Sequence, residues 1–389
     1  MTSSKPQFVG KKVRLGDIVK IEKASMPSGN NVWVLNLDAV EKGTGKVIVK
    51  NRMKADSAGA STVAFTADAV LYSKLRPNLN KVVVADEPGL ATSEMLPLIV
   101  NPEVLDRRYF AYLLRSNSFV NLAVSSTAGS KMPRMNKKTL LNAVFPIPSL
   151  ELQHQRIDLL SSIEKARTKA ELLIQQLDAL VKSRFVEMFG DLKQGYSCSS
   201  CRLGSISRIG SSRRVFRNEL LSEGIPFYRG TEIAALSMGS ETSPSLFISK
   251  EHYDELVAIT GKPEVGDLLL PSICPDGQIW RVDTGKPFYF KDGRVLWIHP
   301  NREIVDSIFL RHALSILFQM SFSDIASGTT FVEMKIFLLK ELEVPLPDIT
   351  VQKKFAAFVA QADKSRFGGM LRLLNSFSGI MHASFFFCN

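Results

Sequence analysis

The sequence predicts two tandem domains of mixed α/β class, each followed by a long helix, in a pseudo-symmetric chain. Two short internal repeats, here called echoes, predict this fold: residues 13–21 resemble residues 201–209 in sequence, and residues 145–153 resemble residues 344–352. The echoes are 188 and 199 residues apart, so the second copy carries a net insertion of 11 residues. A repeat of this length indicates duplication of a whole structural unit. The predicted segments are residues 1–150 (first domain), 151–190 (first helix), 191–349 (second domain) and 350–389 (second helix).

Each predicted domain combines short strands with an amphipathic helix. In the first domain, residues 32–37 and 82–84 have the composition of strands, and the apolar spacing predicts a helix over residues 105–122. In the second domain, apolar residues at helical spacing between 304 and 317 predict the corresponding helix. Because strand, proline turn and helix recur in the same order, they support the duplication independently of the short echoes.

Residues 151–189 carry the clearest helical periodicity of the chain. Their apolar side chains recur every seven residues in three adjacent rows, one of which begins at Leu159 and ends at Leu180. Pro148 precedes the segment and Gly190 follows it, as expected at the start and the end of a helix. A helix of this length is roughly 58 Å long at ~1.5 Å per residue and would act as a rigid spacer between the two domains.

Residues 350–389 repeat this helical pattern more weakly, because Gly368 and Gly369 interrupt it. We expect the two helices to bury their apolar rows on each other. The predicted helix–helix contacts are Leu160, Ile163, Ile174, Leu177 and Val181 in the first helix, and Val359, Leu373 and Ile380 in the second.

Composition indicates a globular protein of the cytoplasm rather than a membrane or secreted one. Hydrophobic residues make up 45% of the 389 residues, and no apolar run approaches the ~18 residues that a membrane span requires. The start of the chain lacks the pattern of a signal peptide. The four cysteines are too few and too scattered to predict a disulfide framework, which favours a reducing compartment.

The distribution of charge points to a polyanionic partner, because residues 1–150 hold 21 Lys and Arg against 11 Asp and Glu, a net charge of +10. Residues 191–349 hold 17 against 20, so the second domain would need a local basic patch. The loop 74–81 and the segment 130–138 mix cations with amides that could read bases, while the second domain has arginines between 202 and 217 without an acid among them. The candidate DNA-contacting residues are Lys74, Arg76, Asn78, Asn80, Lys81, Lys131, Arg134, Lys137 and Lys138 in the first domain, and Arg213, Arg214, Arg217, Arg229, Gln278, Arg281 and Lys335 in the second.

No pattern of residues predicts catalysis or metal binding. Cys198 and Cys201 have the spacing of half a zinc site, but no second cysteine pair follows at the spacing of a zinc ribbon. Asp276 and Glu333 are far apart for two carboxylates of a nuclease, and the first domain has Arg134 where the second has Glu333. We therefore predict no catalytic residue and no metal site in this chain.

Several motifs together resemble a known family. They are the strand start at Arg14–Asp17, the loop 71–81, the stretch from Gly129 to Leu140 that leads into Pro-Ile-Pro, and the helix from Gln153 to Gly190. With the tandem repetition, they resemble the DNA specificity subunit of type I restriction–modification systems. The resemblance covers essentially the whole chain.

The resemblance implies two target recognition domains, each reading one half of a split site in double-stranded DNA. It also implies that the two helices form an antiparallel coiled coil that sets the spacing between the two half-sites. The subunit itself would be non-catalytic. Modification subunits (two of them) and restriction subunits would bind to it, and S-adenosylmethionine, ATP and magnesium would belong to those partners.

Two other classes of function remain open on the sequence alone. A stand-alone nuclease or methyltransferase would need a complete catalytic motif, and cleavage by the purified chain with magnesium would reveal one. A protein–protein scaffold would have no use for clusters of Lys and Arg without acids in corresponding domains. A degraded, inactive specificity subunit is a further alternative, favoured if no methylated motif depends on this chain.

Overall fold

A computed structural model describes residues 10–59, 61–127, 132–190, 195–240, 242–274, 276–325 and 333–365. These residues fall into two compact units that divide within the long helix, at residues 170 and 171. The four segments expected from the sequence stay a prediction, because compactness alone does not define where a domain ends. Within the described residues, no helix is both long and apolar enough to cross a membrane.

The first unit contains two four-stranded sheets, ordered β2-β9-β6-β7 and β4-β3-β8-β5, and a two-stranded sheet, β1-β10. The strands are β1 (Lys11–Arg14), β2 (Val19–Ile21), β3 (Val32–Leu35), β4 (Asn51–Met53), β5 (Thr62–Phe65), β6 (Val70–Ser73), β7 (Val82–Val84), β8 (Gly89–Thr92), β9 (Met95–Val100) and β10 (Val144–Ile147). The helices are α1 (Leu15–Ile18), α2 (Arg107–Arg115), α3 (Asn117–Ser125), α4 (Lys137–Asn142) and the long α5 (Leu150–Phe189).

The single helix expected over residues 105–122 is in fact two helices, α2 and α3, which meet at Ser116. Ser116 has an extended backbone, with ψ of 150°, and its side chain accepts a hydrogen bond from the backbone N–H of Phe119. A serine that caps a new helix in this way ends the previous one, because its own backbone leaves the helical conformation. The strand expected over 32–37 is likewise shorter, and a 3-10 turn replaces its end at Leu37–Ala39.

The second unit contains a four-stranded sheet ordered β12-β18-β15-β16, a three-stranded sheet ordered β14-β13-β17, and the pair β11-β19. The strands are β11 (Ser200–Arg202), β12 (Ser207–Gly210), β13 (Ile225–Tyr228), β14 (Phe247–Ile248), β15 (Leu268–Pro271), β16 (Trp280–Arg281), β17 (Tyr289–Phe290), β18 (Val295–Pro300) and β19 (Glu343–Pro345). The helices are α6 (Leu203–Ile206), α7 (Gly230–Ser237), α8 (Lys250–Thr260), α9 (Ser307–Ile325), α10 (Ile336–Glu341) and α11 (Ile349–Ser365).

The two units repeat one framework, as the sequence echoes predict. Both contain, in the same order, a strand, a short helix and a second strand, and a later strand pairs antiparallel with the first (β1 with β10, β11 with β19). The central strand pairs also correspond, because β2 lies beside β9 and β9 beside β6 in the first unit, and β12 lies beside β18 and β18 beside β15 in the second. The duplication is therefore structural and not confined to short motifs.

A buried glutamine joins each domain to the helix that follows it. The Gln153 side chain is fully buried; its Oε1 accepts from the Asp106 backbone N–H at 2.8 Å, and its Nε2 donates to the carbonyls of Val104 and Pro148, each at 2.8 Å. Gln153 lies in the first turn of α5, so these bonds fix the direction in which the helix leaves the domain.

Gln352 makes the same three bonds at the start of α11. Its Oε1 accepts from the Asp306 backbone N–H at 2.9 Å, and its Nε2 donates to the carbonyls of Ile304 and Pro347 at 3.2 and 2.8 Å. A glutamine side chain is well matched to such a site, because it offers an acceptor and two donors.

Helix α5 extends over the range expected from its periodicity, from Leu150 to Phe189. Leu160 and Val181 are buried in the cores of the first and second unit respectively, but the row from Leu159 to Leu180 is exposed, with Leu159 48% and Leu180 51% accessible. The described apolar surface of α5 is thus narrower than the three rows expected. Of the other predicted helix contacts, Ile163 and Val359 are buried, Ile174 and Leu177 are half-buried, and Leu373 and Ile380 lie outside the described residues.

Candidate nucleic-acid interface

The two basic segments predicted in the first domain lie side by side. The backbone N–H of Met135 donates to the carbonyl of Lys74 at 2.9 Å, and the backbone N–H of Arg76 donates to the carbonyl of Pro133 at 2.8 Å. Residues 74–81 and 132–138 therefore form one continuous edge at the end of β6. Lys131 lies outside the described residues.

The backbone of the loop 74–81 is held in an uncommon conformation. Arg76 and Asn80 have positive φ angles, 48° and 50°, and flank a 3-10 turn at Pro77–Leu79. A left-handed backbone is rare for residues other than glycine and persists only where the surroundings fix it. Here Pro77 is buried, while the side chains of Arg76 and Asn78 are exposed and point away from the packed interior.

Some of the predicted contacts of this loop are used inside the domain. Asn80 donates from Nδ2 to the carbonyl of Arg115 at 2.9 Å, and Lys81 donates from Nζ to the carbonyl of Leu37 at 2.6 Å. Both side chains are half-buried, so they stabilise the loop in this conformation. Of the predicted contacts on this edge, the exposed side chains are those of Arg76, Asn78, Arg134, Lys137 and Lys138.

Glu94 is the acid at the base of this edge. The Arg134 guanidinium bonds both of its carboxylate oxygens at 2.9 to 3.1 Å, and Lys74 Nζ lies 3.9 Å from Glu94 Oε2. The hydrogen bonds from Arg134 hold the pKa of Glu94 below its usual value although burial opposes this, and the same bonds raise the pKa of Arg134. The predicted contacts Lys74 and Arg134 are thus paired with an acid that the sequence analysis did not single out.

In the second domain, the segment 211–217 follows β12 and is fixed to the neighbouring strands. Ser211 Oγ donates to the Val295 carbonyl at 2.7 Å, and Ser212 Oγ donates to the Phe290 carbonyl at 2.6 Å. This attachment holds three exposed arginines, Arg213, Arg214 and Arg217, on a defined stretch of backbone. Arg214 bonds Asp292 through its Nε at 3.3 Å.

The remaining predicted contacts of the second domain are partly occupied. Arg281 is half-buried and donates from Nε to Ser307 Oγ at 2.8 Å, and Lys335 Nζ lies 2.9 Å from Glu333 Oε2. Gln278 is half-buried and lines a cavity of about 310 Å³ beside Lys182. Arg281 therefore has a packing role in this structure, while Lys335 stays at the surface.

Arg229 forms a two-point ion pair with Glu232 at the start of α7. Its Nη2 and Nε lie 2.6 and 3.1 Å from the Glu232 carboxylate oxygens, and its backbone N–H donates to the same carboxylate at 2.9 Å. Burial alone would raise the pKa of Glu232, but these hydrogen bonds outweigh it and lower the pKa to about 2. The pair has the geometry of a helix cap with an acid at the third position.

This ion pair predicts a pH dependence of stability. Because the pKa of Glu232 is lower in the folded state, its stabilising effect is present above the unfolded pKa near 4.5 and is lost as the pH falls towards about 2. The wild type should lose unfolding free energy between pH 6 and pH 3, and we expect this loss to be about 1–2 kcal/mol smaller in Glu232→Gln. The difference is less than the full pKa shift of Glu232 implies, because Arg229 is partly solvated. Urea unfolding at the two pH values measures this, with the exposed Glu223→Gln as the control. Equal acid sensitivity in wild type and Glu232→Gln would contradict the prediction.

Among the described residues, no group of three or more His, Cys, Asp or Glu is placed to hold a metal ion. Cys198 and Cys201 are half-buried free thiols, and burial raises the pKa of both.

Comparison with known proteins identifies the framework. Residues 10–177 match the family model of the type I restriction modification DNA specificity domain. The chain is 23% identical over 266 residues to a provisionally assigned type I restriction enzyme specificity subunit of Haemophilus influenzae, covering 66% of this chain and 64% of that protein. It is 27% identical over 142 residues to the type I restriction enzyme EcoDI specificity subunit of Escherichia coli, covering 36% of this chain and 31% of that protein. The chain thus spans less than two thirds of the length of either relative.

A solved structure shares the fold over the whole chain. It is the S subunit of a type I restriction–modification system from M. genitalium, which aligns with a TM-score of 0.58 at 16% identity and covers 100% of this chain and 99% of that one. At this identity the match concerns the fold alone, and it agrees with the repeated α/β framework described above. The matched specificity domain and these relatives show that the chain is similar to the DNA specificity subunits of type I restriction–modification systems.

Proposed function

We propose that this chain reads a split sequence in double-stranded DNA, one half with each domain, and does no chemistry itself. The observation that carries the proposal is the loop at the end of β6, with its exposed Arg76 and Asn78, and a corresponding loop at the end of β15 on the same framework. Arginine and asparagine reach both phosphates and base edges, so the loop after β6 can supply attraction and selectivity. In the second domain, the exposed cations nearest to this role are Arg213, Arg214 and Arg217 on the segment after β12.

We further propose that the chain binds two modification subunits and, with them, restriction subunits in the cytoplasm. Binding of S-adenosylmethionine, ATP and magnesium would then be a property of those partners. The exposed apolar row on α5, with Leu173 39% and Leu180 51% accessible, is a surface that a protein partner would cover.

Co-expression of the full chain with its modification subunit, followed by sequencing of the methylated bases in the host DNA, tests the proposal. We expect one split, asymmetric methylated motif that disappears when this chain is deleted. Exchange of residues 13–148 for those of another specificity subunit should change one half of the motif and leave the other half intact. A complex that assembles and yields no motif dependent on this chain would contradict DNA reading and favour a scaffold.

The exposed residues of the first loop give a sharper expectation. Because Asn78 is exposed and has an amide suited to base edges, we expect Asn78→Ala to weaken binding to the cognate site by about 1–3 kcal/mol and to relax selectivity at one half-site. Arg76→Ala should weaken binding to cognate and unrelated DNA alike and lower the slope of log K against log salt by about 1. Fluorescence anisotropy of the complex at several salt concentrations measures both.

The matched control is Lys20→Ala, which removes an exposed cation of β2 and leaves the loop unchanged. We expect this variant to bind cognate DNA as the wild type does. If it weakens binding as much as Arg76→Ala, the attraction comes from the net charge of the domain and not from the loop.

A further inference from the structure

The backbone at the base of the first loop is fixed by two hydrogen bonds. Lys74 donates from its backbone N–H to the carbonyl of Glu94 at 3.0 Å and accepts at its own carbonyl from Met135 at 2.9 Å. Lys74 therefore lies between two other stretches of chain, the turn before β9 and the connector before α4. The positions of these three stretches determine where the loop 74–81 begins.

The second domain has the same two bonds at corresponding positions. Ser272 donates from its backbone N–H to the carbonyl of Arg294 at 2.9 Å and accepts at its carbonyl from Met334 at 2.7 Å. Ser272 follows β15 as Lys74 follows β6, and Arg294 directly precedes β18 as Glu94 directly precedes β9. The two loop bases are thus built alike.

The side chains across these two bases form ion pairs of opposite polarity. In the first domain the acid is Glu94, before β9, and the cation is Arg134, on the connector. In the second domain the cation is Arg294, before β18, and the acid is Glu333, on the connector. In both domains the carboxylate is the less accessible partner, 21% exposed in Glu94 and 18% in Glu333.

Each carboxylate also has a lysine near it. Lys74 Nζ lies 3.9 Å from Glu94 Oε2, and Lys335 Nζ lies 2.9 Å from Glu333 Oε2. The lysines differ in position, but each acid is surrounded by one arginine and one lysine. Arg134 bonds Glu94 at two points, which gives both strength and a defined geometry, whereas Arg294 bonds Glu333 through one nitrogen, Nη1.

From this reversal we propose that the pairs Glu94–Arg134 and Arg294–Glu333 are equivalent clamps that position the recognition loops, and that Arg134 is a positioning residue and not a DNA contact. The inference rests on the proposed function and revises one of the contacts predicted from the sequence. If the connector position faced a phosphate, the glutamate found there in the second domain would repel it. An ion pair, by contrast, bonds the connector to the strand equally well with either polarity.

The reversal also makes each clamp specific for its own domain. Placing an acid at residue 134 sets two carboxylates against each other beside Glu94, and placing arginine at residue 94 sets two guanidinium groups against each other. Only the simultaneous exchange of both residues restores an attractive pair, with the polarity that the second domain already has.

The experiment uses the full chain in its complex with the modification subunit and compares Arg134→Glu, Glu94→Arg and the double variant Glu94→Arg/Arg134→Glu. We expect each single variant to weaken binding to the wild-type target roughly tenfold, and the double variant to return to within about twofold of wild type. The loss of binding should concern one half-site only. Methylome sequencing, and anisotropy with DNA that carries mismatches in one half-site at a time, would detect this. The corresponding variants of Arg294 and Glu333 should affect the other half-site.

Arg134→Gln separates positioning from direct contact without creating a like-charge pair. A positioning residue predicts an unchanged slope of log K against log salt for this variant, whereas a phosphate contact predicts a slope lower by about 1. If the wild-type complex methylates its motif, the clamp would be overturned by a lower slope for Arg134→Gln, or by a double variant that binds DNA as weakly as the single variants. A wild-type complex that methylates no motif would instead overturn the proposed function.

Discussion

Phe355→Ala is expected to lower the free energy of unfolding of the second unit by about 3–5 kcal/mol, the cost of removing a fully buried aromatic ring. Phe355 lies in α11, and its ring centroid is 5.5 Å from that of Phe185, 5.6 Å from that of Phe189 and 6.3 Å from that of Phe309. All four side chains are completely buried, so removing the Phe355 ring would leave a cavity in the interior of the unit. The variant therefore loosens the contact among α5, α9 and α11.

Urea unfolding followed by hydrogen exchange in α9 and α11 measures this loss. Phe337→Ala is the matched control, because Phe337 lies in α10 with 66% of its surface exposed and should change stability by less than about 0.5 kcal/mol. Similar losses in the two variants would mean that the aromatic cluster is not a stabilising core.

Replacing the buried glutamine of the first domain is the second change with a large expected effect. We expect Gln153→Leu to cost about 2–4 kcal/mol, because it leaves the Asp106 N–H and the carbonyls of Val104 and Pro148 without their partner in a buried site. The apolar side chain has a similar size, so the loss comes from hydrogen bonds and not from packing. Amide exchange at the start of α5 should increase more than exchange in the sheet.

Gln155→Leu is the control for this variant, since Gln155 is exposed two residues further along the same helix. Gln352→Leu should destabilise the start of α11 by a similar amount, because Gln352 makes the corresponding three bonds. If Gln153→Leu unfolds at the same urea concentration as Gln155→Leu, the three hydrogen bonds contribute nothing to stability.

Local periodicity predicts much of this fold. The seven-residue recurrence of apolar side chains places α5 within one residue of its observed start, because a long amphipathic helix is specified by its own sequence. The break at Ser116 was not predicted, since apolar spacing continues through it and the competing serine cap depends on one side chain. The exposure of the row from Leu159 to Leu180 was also missed, because periodicity indicates which residues share a face and not what covers that face.

The candidate interface was predictable in composition but not in arrangement. The loop 74–81 and the connector 132–138 are more than 50 residues apart in sequence, and only tertiary pairing through Lys74 brings them together. Charge alone also could not distinguish Arg76, which is exposed, from Lys81, whose ammonium group bonds a backbone carbonyl. The sequence did hold one unused signal, because Arg134 corresponds to Glu333 and a reversal of charge between repeats suggests a reversed partner.

The matching joints at Gln153 and Gln352 have an evolutionary consequence. Each glutamine recognises only backbone groups, namely one N–H and two carbonyls, so the joint does not depend on which side chains the adjoining domain carries. A domain transferred by recombination from another gene, or from the other half of this one, would form the same hydrogen bonds with the glutamine if it kept these three backbone groups. Such an exchange would leave the joint intact, without adapting it residue by residue.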